Sequence, residues 1–373
     1  MKKSFFYFAA LVLWCMVSLS SCIKEAVMTD SAETTQATIK LTLTGSAGTR
    51  ASGTSEPATD NTGEGKISSL VVGFFDKDGN KIDIQKKTDY SSTPSTETFT
   101  LSLPTTGISN CTAVAVANAP AATVTALSGC ATKADFLACT VSMSSDITST
   151  SLPMSGDLKT SADASSFTLA NGTSLKVELV RMVARITLTN IKTNFSAPYT
   201  SATVKLQRVF LRNAISTALV NPTFTMPDSP AFLTGGSSVT YLQEDLSASP
   251  KSVTTSNTIP ASIPYYYFYA FANNSSTNPT AFVIQALFDA DGSGTTYSEE
   301  TVYYPVIIGK KANGYSGSDA MDNGLVSRNT KYSLGVTIKS KGASSPDATI
   351  EDGAITLTVS VKSWTETSQD VGF

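Results

Sequence analysis

The chain has 373 residues, of which 41% are hydrophobic and only 15% charged, with a formal net charge of −3 at pH 7. That length allows two domains with a core each, the sparse and slightly acidic charge offers no surface for nucleic acid, and the abundance of Ser and Thr is that of an exported all-β protein. No histidine is present, which removes His-based triads, most zinc hydrolase sites and the usual neutral-pH base; with no nucleophile elbow, P-loop or dinucleotide fingerprint, the chain reads as a non-enzyme with no catalytic residue, cofactor or metal site.

The N-terminus carries Lys2 and Lys3, an apolar run from Phe5 to Val17, and then Leu19-Ser20-Ser21-Cys22. The run is short for a membrane span. Small residues before a cysteine make a lipobox, so a signal peptide over 1–21 and acylation of Cys22 are expected. Acyl chains contribute about 0.8 kcal/mol per buried CH₂, enough to anchor a multiply acylated precursor firmly to a membrane. Beyond Cys15 and Cys22, three cysteines remain: Cys111, Cys130 and Cys139. They could form one disulfide with a spare thiol or serve as three small buried hydrophobes, and the second is slightly favoured.

From Ala37 the pattern is that of a half-buried strand: Ala37, Ile39, Leu41 and Leu43 share one parity, with Thr38, Lys40, Thr42 and Thr44 on the other. A loop rich in Ser, Thr, Gly and Pro follows, reaching to Lys66, and it contains Arg50, the sole arginine before Arg181. Such a segment is accessible to proteases. A trypsin-like or Arg-specific enzyme cutting between Arg50 and Ala51 would detach both the anchor and the strand. Removing that strand would uncover an apolar groove that demands another strand.

Further along, ISSLVVGFFDKDGNKI is a hairpin around Asp76-Lys77-Asp78-Gly79-Asn80, whose glycine and twelfth-position spacing fail an EF-hand. The same plain turn is expected at Asp289-Ala290-Asp291-Gly292. TETFTLSLP and CTAVAVANAP are strands, with a helix-like piece over about 119–136. Leu175 to Leu188 reads as one long strand whose Arg181 and Arg185 occupy a partly covered face and pair with a carboxylate. A domain boundary is expected over 195–201, followed by surface loops over 221–262. The aromatic run from Tyr265 to Phe271 is a core strand or, alternatively, a carbohydrate-stacking platform. FVIQALFDADG, EETVYYPVII, RNTKYSLGVTIKS and AITLTVSVKSW complete a series of alternating strands.

Several of these segments, in this order, resemble the fimbrillins of Bacteroidales, the FimA/Mfa-type stalk subunits of type V pili. The carriers are the lipobox at Cys22, the strand ending in Thr49-Arg50-Ala51, LVRMVARITL, the NAP and LPMSGD segments, YYYFYAFANN, YYPVII, Arg328-Asn329-Thr330-Lys331-Tyr332 and the VSVKSW tail. The resemblance implies two transthyretin-like β-sandwich domains in tandem, over 51–197 and 198–373, behind a signal peptide and a 22–50 propeptide. It implies export as an outer-membrane lipoprotein, cleavage after Arg50, and polymerisation with other copies and accessory pilus subunits into an adhesive, biofilm-supporting extracellular fimbrium. Ile39, Leu41 and Leu43 would be the temporary plug of the groove. The C-terminal stretch with Trp364, Val371 and Phe373 would be the permanent donor. The nine residues after Trp364 reach roughly 30 Å, but Thr365, Thr367 and Gln369 fill apolar pockets poorly, which leaves open a register that also uses Val359 and Val361. A tip or accessory adhesin of the same pilus, or a monomeric glycan-binding surface lipoprotein, are the alternatives.

Overall fold

Alternating β-branched and aromatic residues put most of this chain into strands, and the protein is all-β in a computed structural model that describes residues 34–45, 63–255, 266–295, 298–310, 324–348 and 355–363. A first group comprises β1 (Thr34–Gly45), β2 (Leu70–Phe75), β3 (Lys81–Lys87), β4 (Thr96–Pro104), β5 (Ile108–Ala117), β6 (Thr140–Ser142), β7 (Met154–Lys159), β8 (Phe167–Leu169) and β9 (Ser174–Arg181). Two short helices, α1 (Ala121–Gly129) and α2 (Lys133–Ala138), separate β5 from β6. Thr132 starts α2 with a capping box shared with Asp135, which satisfies two of the helix's free amides.

All of these strands except β6 form one sheet in the order β3-β2-β5-β7-β9-β1-β4, with β8 against β5. The sheet curls until its two ends meet. Phe74 of β2 lies edge-on to Phe99 of β4 with ring centroids 6.0 Å apart, and Gln85 of β3 donates to the Thr100 carbonyl at 2.6 Å. Just after β3, the Tyr90 hydroxyl donates to Glu97 Oε2 at 2.7 Å, while Lys87 pairs with Glu97 at 3.3 Å. Burial opposes ionisation of Glu97, yet the Thr98 amide, Tyr90 and Lys87 together hold its carboxyl below the ordinary value.

The second group comprises β10 (Val183–Thr193), β11 (Thr203–Arg212), β12 (Ala214–Ile215), β13 (Thr217–Leu219), β14 (Phe232–Leu233), β15 (Gln243–Asp245), β16 (Lys251–Val253), β17 (Tyr266–Phe271), β18 (Ala281–Asp289), β19 (Glu299–Ile307), β20 (Thr330–Ile338) and β21 (Ile355–Ser363). One sheet runs β17-β10-β20-β21 and another β15-β11-β18-β19, with β16 also on β11. Phe268 of β17 and Phe282 of β18, 5.8 Å apart, join the facing sheets. β6 pairs with β13 and so ties the helical arm of the first group to the second.

Several expectations change. The stretch from Leu175 to Leu188 is two strands: β9 ends at Arg181 in the first sheet, and β10 starts at Val183 in the second, beside β17 and β20. The chain thus passes between sheets at Met182, and the boundary expected over 195–201 falls between two strands of the second group. Arg181 and Arg185 are buried, not partly covered: Arg181 lies on the inward parity of β9 with Val177 and Leu179, and Arg185 lies in the part of β10 that is buried on both faces. The region read as surface loops over 221–262 carries β14, β15 and β16, the last two on β11. Tyr266 to Phe271 are buried on both faces, so the aromatic strand is core and not a stacking platform.

Candidate functional site: the slot of the first strand

β1 lies inside its sheet, not at an edge. It runs antiparallel to β4, from Thr34 opposite Pro104 to Thr42 opposite Thr96, and parallel to β9, from Lys40 opposite Ser174 to Gly45 opposite Leu179. Loop bonds extend the ladder: Lys40 N donates to the Thr173 carbonyl at 3.0 Å, and Leu43 N to the Ser95 carbonyl at 2.9 Å. The period-2 pattern sets which face is hidden. Ala37, Ile39 and Leu41 are at most 1% exposed and Leu43 6%, while Thr38, Lys40 and Thr42 are exposed.

Burying each large aliphatic contributes about 1.5–3 kcal/mol, and each ladder bond about 0.5–1.5 kcal/mol. Together these rival the whole net stability of a typical domain, about 5–15 kcal/mol. Without β1 the strands β4 and β9 would face each other across an apolar slot with open backbone groups on both sides. β4 would then have no sheet neighbour, but the contacts of Phe99, Thr100 and Glu97 with β2, β3 and Tyr90 would still hold it.

The walls of the slot explain two of the sequence motifs. In LPMSGD, a Cβ on Gly156 would sit 2.2 Å from the Glu178 carbonyl oxygen, so only glycine lets β7 approach β9 this closely. In NAP, Asn118 adopts φ 55° and is almost wholly buried. Its Oδ1 accepts from the Ser68 amide at 2.8 Å, and its Nδ2 donates to the Lys66 carbonyl at 2.7 Å and the Leu152 carbonyl at 3.0 Å. Its side-chain amide thus fastens residues 66–68 and ties them to Leu152.

A second fastening sits two residues upstream. Glu64, 0% exposed, accepts from Arg185 Nη1 at 3.1 Å and from the Tyr269 hydroxyl, and its main-chain carbonyl accepts from Arg181 Nε at 3.0 Å. Burial pushes the Glu64 carboxyl up, against the pull of Arg185, Tyr269 and Arg181. The expected carboxylate partner of the arginines is thus Glu64. Nothing in GEGK marked it, since a lone acid between glycines has no periodicity. Nearby, Arg328 donates to the carbonyls of Arg181, Val180, Asn221 and Pro222 and to Ser155 Oγ, at 2.7 to 3.1 Å. It pins the crossing at Met182 to both groups.

Ile39, Leu41 and Leu43 therefore come together in one buried row. Cys22, Arg50, Ala51, Trp364, Val371 and Phe373 lie outside the described residues. The hairpin aspartates have their carboxylates occupied by amides: Asp76 Oδ1 accepts from Asp78 and Asn80, and Asp289 accepts from Gly292 and Gly294. Among the described residues, no group of three His, Cys, Asp or Glu is placed to hold a metal ion, and no helix is long and apolar enough to cross a membrane.

Residues 37–208 match the family model of the major fimbrial subunit protein (FimA). That segment begins in β1 and takes in both walls of its slot. Among solved structures, a fimbrilin from Porphyromonas gingivalis W83 is 16% identical with a TM-score of 0.63, over 89% of this chain and 98% of that one. A candidate cell adhesion protein from Parabacteroides distasonis ATCC 8503 is 18% identical with a TM-score of 0.59, over 90% and 98%. Another from Bacteroides eggerthii DSM 20697 is 21% identical with a TM-score of 0.58, over 88% and 96%. At these identities the likeness is one of fold. No curated protein matches the chain.

Proposed function

We propose that the chain is a FimA/Mfa-type fimbrillin and a stalk-forming fimbrial subunit, exported as a lipoprotein on Cys22 and activated by loss of β1; the match of residues 37–208 to the FimA model and the shared fold support this reading. The observation that carries this reading is the place of β1: an interior strand with a full apolar row, followed by the loop that contains Arg50 and then by a doubly fastened segment at 64–68. A cut between Arg50 and Ala51 by an Arg-specific or trypsin-like protease would separate β1 from the rest while Glu64 and Asn118 keep the remainder in place. The anchored precursor sits at the outer membrane, and the cleaved subunit enters the extracellular fimbrium. Two β-sandwich units divided at Met182 are the organisation that fits the sheets best.

The replacement strand comes from another copy. β21 is an edge strand with β20 as its neighbour, and Ile355, Leu357, Val359 and Val361 repeat the spacing of Ala37, Ile39, Leu41 and Leu43. Val371 and Phe373 offer only two such residues. The donor is therefore β21 with the 364–373 tail as its extension. A tip or accessory role remains the second reading; it differs in needing no donor. The experiment is Arg50→Ala, with Lys66→Ala added to close the alternative cut: these variants leave folded, membrane-anchored monomers. Normal fibres from the double variant would refute the mechanism. Cys22→Ala, in parallel, abolishes partition into detergent; unchanged partition would remove the lipid anchor.

A further inference from the structure

Of the three cysteines in the described residues, two meet. Cys130 and Cys139 hold equivalent places, each ending its helix in extended backbone, α1 at φ −66°, ψ 138° and α2 at φ −60°, ψ 146°. Each sulfur turns back over its own last turn, 3.3 Å from the Ala126 carbonyl oxygen for Cys130 and 3.5 Å from that of Asp135 for Cys139. The result is a sulfur to sulfur distance of 3.5 Å. Cys111 is apart from them, buried in β5 with its thiol on the Ile108 carbonyl at 3.1 Å. A disulfide bond is about 2.05 Å long, so the two sulfurs need to close by only about 1.5 Å. Both residues cap helix ends, their amides donating to the Leu127 and Phe136 carbonyls at 3.2 Å, so closure by side-chain rotation leaves these bonds in place.

We propose that Cys130 and Cys139 are joined as an intramolecular disulfide, formed after export by exchange with an oxidised dithiol protein or a small-molecule disulfide, with Cys111 left as a thiol. The timing rests on the exported location proposed above; the geometry does not. Cys139 is the more exposed of the pair and attacks first, as its thiolate. The oxidant's S–S bond breaks, one half leaves as a thiolate, and a mixed disulfide forms on Cys139. The Cys130 thiolate then attacks Cys139 Sγ, the protein S–S bond forms, and the second half of the oxidant leaves. Two protons and two electrons pass from the protein to the oxidant, which ends as two thiols. Burial, with the neighbouring Cys130 thiol, pushes Cys139 up to about 12, so the exchange speeds up as pH rises.

The bond would close a ring around α2 at a mechanically relevant place. The Cys139 carbonyl accepts from the Val220 amide at 2.9 Å, and the next residue opens β6, which pairs with β13. The crosslink would stiffen the arm through which the first group of strands grips the second.

The test is made on the full chain, purified reduced and incubated with oxidised glutathione, so that it is independent of export. Free thiols are alkylated under denaturing conditions and the peptides read by mass spectrometry. The expected result is a peptide pair linked through Cys130 and Cys139, lighter by two hydrogens, with Cys111 alkylated. The oxidised form should also resist cleavage within 121–140 roughly tenfold or more longer than the reduced form. Cys111→Ser keeps the link, and Cys139→Ser abolishes it and leaves Cys130 alkylated or glutathionylated. Full alkylation of both Cys130 and Cys139 after oxidation, or a link to Cys111, would overturn the proposal.

Discussion

Removing the Glu64 carboxylate would leave Arg181 and Arg185 buried against an apolar core with one acceptor gone, and breaking a buried pair costs about 3–5 kcal/mol. Glu64→Ala should therefore lower precursor stability by that order in a denaturant titration, while Glu64→Gln, which still accepts from Tyr269, loses less. The sign of the pH dependence follows from burial raising this carboxyl in the folded state. Between the unfolded and folded values the folded protein holds the proton more firmly, so the contribution of Glu64 is full below the unfolded value and is lost as pH rises through the folded one. The difference in Tm between the native chain and Glu64→Gln should thus shrink as pH rises above the ordinary carboxylate value; a difference that widens in that direction would contradict a raised Glu64 carboxyl. Arg328, which burial lowers to about 10, is bonded to five acceptors. Arg328→Lys cannot reach them all and should cost about 3–5 kcal/mol, read from the same titration. The partnership of the arginines with a carboxylate was legible in the sequence, but its identity was not. Glu64 is more than a hundred residues from its partners, and neither spacing nor propensity links positions that only tertiary folding brings together.

At the scale of elements, β1 was the most legible feature, since strict alternation of Ala37, Ile39, Leu41 and Leu43 with polar residues is decided by local geometry alone. Its interior place was not legible, because neighbours in a sheet are set by topology. The break at Met182 was hidden for a similar reason. Both faces of β10 are buried, so its mostly apolar residues run on from β9 with no Gly, Pro, Asn or Asp to mark the change of sheet. Leu41→Ala should destabilise the precursor by about 2–5 kcal/mol yet, if β1 is lost on assembly as proposed, leave the stability of assembled fibres unchanged. An equal loss in both, by denaturation of each form, would show that β1 stays in place. The seam between the two ends of the curled sheet gives a second test. Tyr90→Phe combined with Gln85→Ala removes two of the contacts that hold β4 from the far side. In the precursor, where β1 also holds β4, the change should be small. In the cleaved monomer, the amides of residues 96–103 should exchange with solvent markedly faster than in the unsubstituted cleaved form, by hydrogen exchange; equal protection would mean that the seam plays no part.

For the whole molecule, the proposed assembly requires one strand to leave and one to arrive, with the rest of the fold held. The fastenings at Glu64, Asn118 and Arg328 and the edge position of β21 are consistent with that division of labour. Deleting 365–373 should shorten or weaken fibres, while deleting 355–373 should leave processed monomers that do not elongate; normal elongation after the longer deletion would remove β21 as donor. The central claim, that β1 is absent from the working subunit, is tested most directly by mass spectrometry of washed, depolymerised fibres. The account predicts subunits that begin at Ala51 and contain no peptide from Thr34–Gly45. Fibres in which that strand is present in equal amount to the rest of the chain would contradict it.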